Sequence, residues 1–213
     1  MNKGANELFI DDKIYTHHLR VDGPSENSEK GMSKRNEPTL QFQSGKSIKW
    51  TPINFKKHQD KTFPQVMFKD ADWFFYAYEK NYFKNGLANQ AHEIYLKARS
   101  IRVPEINDQE MVVKYEIYNN KFQTMYLIPY GPGLQGMNVS RFIDFYTPRK
   151  YASYDKRGYK NFVHALKGIL FEDNHHYMTK AICEEFFNND SNFNLFHALN
   201  LHGAQKSSAA NRL

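Results

Sequence analysis

The spacing of apolar residues changes period twice along the chain, from helical to alternating after about residue 110 and back to helical beyond Pro148. Ile53 and Phe55 alternate with polar neighbours as a short strand, and Lys56 to Lys61 read as a turn. Asp70 and Asp72 then stand as helix caps ahead of an aromatic run, Trp73, Phe74, Phe75, Tyr76, Tyr78, Tyr82 and Phe83. After a break at Asn85-Gly86, Leu87, Ala91, Ile94, Tyr95 and Ala98 recur at helical spacing as far as Arg99, with their inner face expected against Trp73 and Phe74.

From Met111 the pattern alternates: Val113, Tyr115 and Ile117 face one way, Val112, Lys114 and Glu116 the other. The pair Asn119-Asn120 suits a hairpin turn because asparagine tolerates left-handed backbone, and Phe122 to Tyr130 forms the return strand. The glycine-rich loop Gly131 to Met137 leads to a third alternating stretch, Arg141 to Thr147. Asp155 caps a helix to Phe171 with an apolar stripe of Tyr159, Phe162, Val163, Leu166, Ile169 and Leu170. Thr179 caps a last helix to Asn188 that buries Ile182, Cys183, Phe186 and Phe187.

These elements predict an α+β protein: a small motif-plus-helices unit, a three-stranded antiparallel β-meander and C-terminal helices. The expected divisions are a strand-like segment over 1–21, a flexible linker or long loop over 22–47, the helical unit over 48–100, the meander with its helices over 101–202, and a loose tail over 203–213. A chain of 213 residues can bury one sizeable core or two small ones. Lysine and arginine number 29 against 23 acids, which favours polyanionic partners. The single cysteine, Cys183, excludes an internal disulfide and fits a reducing compartment. No apolar run is long enough to span a membrane, so a soluble cytoplasmic protein is the default expectation, with no membrane partner.

Charge singles out two segments. Lys56, Lys57, His58 and Lys61 lie on a turn that can present them without packing demands, whereas Trp73, Phe74, Phe75 and Tyr78 are rings a domain without disulfides has to bury. Further on, Arg149, Lys150, Lys156, Arg157, Lys160 and Lys167 face a lone acid, Asp155, with Tyr151, Tyr154 and Tyr159 interleaved. Cations suit phosphates and aromatic or hydroxyl groups suit bases, so both segments are candidate nucleic-acid contacts; a solvated helix face is the bland alternative for the second.

The first segment also resembles a known module. A strand of the form hydrophobic-x-Phe-Gly-Lys-(Tyr/His)-Lys-Gly-Lys-(Thr/Ser), followed by an acid, an aromatic pair and a short helix, marks the C-terminal module of exodeoxyribonuclease X-like proteins and related uncharacterised domains. Phe55, Lys57, His58, Lys61, Thr62, Asp70, Asp72, Trp73 and Phe74 are similar to it in order and spacing, but Lys56 and Asp60 replace the two glycines. The resemblance spans residues 53–83 and implies an exonuclease-associated role. The family's exonuclease chemistry lies in a separate domain, to which nothing here is similar.

Catalytic patterns are sparse. Asp108, Glu110, Lys114 and Glu116 bring acids and a lysine near a hairpin strand, as a metal-dependent nuclease would need, but the acid-x-lysine spacing is missing. The pairs His17-His18 and His175-His176 fit no common zinc spacing, His92-Glu93 is a common surface dipeptide, and no phosphate-binding glycine loop or nucleophile elbow occurs. Neither a cofactor nor a metal is expected. The expectation is a non-catalytic nucleic-acid-binding accessory protein, with DNA favoured over RNA; the alternatives are a metal-dependent nuclease and a protein-interaction module of a phage, plasmid or other mobile element.

Overall fold

A computed structural model of the chain describes residues 48–171 and 177–194. The expected N-terminal strand, linker and tail, and the pairs His17-His18 and His175-His176, lie outside the described residues. Within them the protein is α+β, with helices gathered around an aromatic core and a small antiparallel sheet beside them.

The first helix, α1 (Phe63–Glu79), starts earlier than expected. Its start is set at Thr62, whose backbone N–H donates to the Gln65 side chain at 3.1 Å, and Pro64 sits in the first turn, where a missing N–H breaks no helix bond. Asp70 is not a cap. It is the point at which α1 breaks, with φ −158° and ψ 57°, and its carboxylate is held by the turn before the helix. Phe63, Val66, Met67, Phe74 and Phe75 are buried on α1. Helix α2 (Gly86–Ala98) packs along it chiefly through Tyr95, whose ring stacks on Tyr78 at 4.4 Å and meets Phe75 edge-on.

The hairpin forms as expected. Strands β2 (Met111–Tyr118) and β3 (Lys121–Pro129) are joined by Asn119 and Asn120, both left-handed at φ 49° and 54°. The third strand differs. β4 (Val139–Ser140) pairs with β2, giving the order β3-β2-β4 rather than a serial meander, while β5 (Phe142–Ile143) pairs instead with β1 (Ile101–Arg102). Residues 141–147 cannot continue as a strand because Phe145 turns its ring into the core, its N–H bonds the Ala98 carbonyl at 2.9 Å, and Thr147 opens helix α3 (Thr147–Tyr151).

Helix α4 (Lys156–Phe171) lies across β3 and against α1. The Asp155 side chain caps it by accepting the Gly158 N–H at 2.9 Å. A Cβ at Gly158 would meet that carboxylate at 2.6 Å, so the cap and the glycine go together. Helix α5 (Lys180–Asn188) packs against α1 where Phe68 meets Phe186 and Phe187, with Thr179 capping Ile182 and with Cys183, Phe186 and Phe187 buried. Asn188 fastens the first described residues to α5, bonding Ile48 and the Trp50 indole. Among the described residues no helix is long and apolar enough to cross a membrane.

Candidate nucleic-acid interface

The turn before α1 is closed by its own backbone. Ile53 donates to the Lys61 carbonyl at 2.8 Å, Asp60 donates back to Ile53 at 3.1 Å, and residues Lys56–His58 wind into a single 3-10 turn between them. Of the two positions where the resembling module has glycine, only Asp60 is left-handed, at φ 63°. Aspartate is among the few residues that accept that region at small cost, so the turn closes without glycine. Lys56 lies within the 3-10 turn and makes no such demand.

His58 is not presented to solvent as the sequence suggested. It is 2% exposed and packs on the Trp73 ring at 4.4 Å, because the 3-10 turn points it inward. Its Nε2 lies 3.0 Å from Asp70 Oδ2, an oxygen that also receives Lys57 Nζ at 2.6 Å. Burial pushes the His58 pKa below its ordinary value, against the pull of Asp70. The imidazole is therefore neutral at pH 7, with Nε2–H donating to the carboxylate and Nδ1 buried without a hydrogen-bond partner. His58 braces the turn against the break in α1 through Asp70.

The same break opens a cavity of about 570 Å³ between the turn, the middle of α1 and the exposed face of α4. Lys57, His58 and Lys69 line one side, Lys156, Lys160 and Lys167 the other, with Phe68, Ala71, Tyr159 and Val163 also lining it. The two carboxylates in the lining, Asp70 and Asp72, are already paired. Lys69, Lys156 and Lys160 are exposed, and no carboxylate among the described residues pairs with them. The two cationic segments of the sequence thus meet in one groove. Lys56, Lys61 and Arg157 lie outside its lining.

Lys69 is not legible in the sequence as part of this site, because a cap at Asp70 would place it in a loop; Thr62-x-x-Gln65, the sequence pattern of a helix start, is the signal that corrects this. His164 joins the lining one turn after Lys160.

Arg149 and Lys150 stand apart. The Arg149 guanidinium pairs with Asp72 and, at 2.8 Å, with Glu79, and Lys150 Nζ lies 3.3 Å from Asp144. Burial works against the Arg149 charge, but Glu79 and Asp72 outweigh it and raise its pKa. Burial also pushes the Asp72 carboxyl pKa above its ordinary value despite Arg149. Arg149 therefore locks α3 to α1 instead of facing a ligand.

The acids considered for a nuclease do not converge. Asp108 lies in an exposed turn, Glu110 is 3.9 Å from Arg141, and Glu116 accepts the Tyr126 hydroxyl at 2.9 Å while Lys114 lies over the same ring. Among the described residues no three His, Cys, Asp or Glu side chains are grouped to hold a metal ion. No family model matches the chain, and no curated protein or solved structure matches it, so the groove has to be interpreted by its own chemistry.

Proposed function

We propose that the protein is a non-catalytic nucleic-acid-binding accessory protein whose phosphate-binding surface is the groove between the turn and α4. The observation that carries this reading is the meeting of two separately cationic segments, with Lys57 and Lys69 facing Lys156, Lys160 and Lys167 across one cavity. Lys69, Lys156 and Lys160, which no carboxylate among the described residues neutralises, hold positive charge in a concave surface, and a polyanionic backbone entering it releases counterions. A merely solvated helix face needs no second cationic wall opposite it.

The resemblance of residues 53–83 to the exonuclease-associated module favours DNA over RNA, and the left-handed Asp60 keeps a backbone suited to the glycine it replaces.

The test compares two charge reversals of equal size. Lys69→Glu with Lys160→Glu changes both walls of the groove, while Lys61→Glu with Arg157→Glu makes the same change in net charge outside it. Binding of a fluorescein-labelled oligonucleotide at about 50 mM salt should weaken at least tenfold in the first pair and much less in the second, with circular dichroism unchanged. Equal losses in both pairs, or none in the first, would overturn the proposal.

A further inference from the structure

We infer that the groove selects unpaired strands, by stacking their bases on a tyrosine platform at the end where α4 begins; this rests on the reading of the groove as a phosphate-binding surface. The platform is Tyr76, Tyr82 and Tyr154. Tyr154 is 61% exposed and Tyr82 46%. The Tyr76 ring lies 5.6 Å from that of Tyr154 and 5.8 Å from that of Tyr82, with the Tyr76 and Tyr82 hydroxyls 3.4 Å apart.

The rings adjoin the groove through its own lining. Tyr76 follows Asp72 by one turn of α1, and Lys156, another lining residue, donates its backbone N–H to the Tyr154 carbonyl at 3.1 Å. Asp72, in the groove lining, is held by Arg149, which is three residues from Ala152 at the end of α3 and five from Tyr154.

Tyr154 has φ 59°, a left-handed conformation that is a genuine outlier for a bulky side chain. Two restraints hold it there: the ring contact with Tyr76 and the start of α4, where Lys156 donates to its carbonyl. The ring gains little burial from this strain, since it stays largely in water. Strain held by its surroundings with the side chain left exposed marks a group kept ready for something outside the chain.

The occupant follows from chemistry. Lysines in the groove hold phosphates of single and double strands alike. A tyrosine face needs a base whose own face is free, which a duplex does not offer and a single strand does. Stacking tolerates every base, so the platform adds strand preference without sequence preference.

The experiment measures affinity of the full chain for labelled oligo(dT), oligo(rU) and a mixed-sequence DNA duplex at one salt concentration. Variants are Tyr82→Ala with Tyr154→Ala, and Tyr154→Phe. The unaltered chain should hold the single strands about tenfold more tightly than the duplex. The alanine pair should lose about tenfold on single strands and less than twofold on duplex, while Tyr154→Phe keeps the preference because it keeps the ring. Single-strand affinity unchanged in the alanine pair, an equal loss on duplex, or a duplex preference in the unaltered chain overturns the inference and leaves the groove reading standing. Absence of salt-sensitive binding to all probes overturns both.

Discussion

Asp60 and His58 show how single residues shape the turn that bears Lys57. At φ 63° Asp60 carries the cost of a left-handed β-carbon, small for aspartate and larger for a β-branched side chain. Asp60→Gly should change stability by less than about 1 kcal/mol, whereas Asp60→Val should cost about 1–2 kcal/mol in urea unfolding. His58 gives the turn a pH dependence whose sign follows from burial. The folded state binds its proton less readily than the unfolded chain, so the stability it contributes is complete above its ordinary pKa of 6.5 and drains as pH falls below that toward the lowered folded value. Melting temperature should therefore fall between pH 7 and pH 5, and the fall should be shallower in His58→Gln; equal slopes would contradict the assignment. None of this inward role is legible in the sequence, where His58 is one more cation in a run, because burial depends on Trp73 and Asp70 closing over it.

The helices α2, α4 and α5 and the β2–β3 hairpin are legible because each combines a sustained period with a chemical boundary signal: the Asn85-Gly86 break, Asp155, Thr179 or the Asn119-Asn120 turn. Asp155→Ala should remove the α4 cap at a cost of about 1 kcal/mol, a fall of about 2–4 °C in melting temperature. The same logic misplaces the start of α1, since Asp70 and Asp72 also look like caps. Their carboxylates are taken by Lys57 and Arg149, tertiary partners that local spacing does not reveal. The sheet's third strand escapes because β4 is two residues long, too short to alternate, while the longer alternating stretch after it carries Phe145 into the core.

At the scale of the whole molecule, the groove exists because α1 breaks at Asp70 and α4 crosses near the break. The cations Lys57, Lys156, Lys160 and Lys167 stand out in the sequence, but nothing local brings them together or marks Lys69 as their neighbour. Arg149, which looks equivalent to the other cations, ties α3 to α1 through Asp72 and Glu79. In the proposed complex with a nucleic acid, the lysines set how steeply binding depends on salt and the tyrosines set which strands are favoured. The dependence of log affinity on log salt concentration tests the central claim most directly, since each phosphate left without its lysine takes about 0.7 off the slope on single strands. Comparison of the unaltered chain with Lys69→Glu and Lys160→Glu together should show the slope made shallower by about one to two, with the Lys61→Glu and Arg157→Glu pair close to the unaltered value. A slope identical in all three proteins would contradict a groove that binds phosphates.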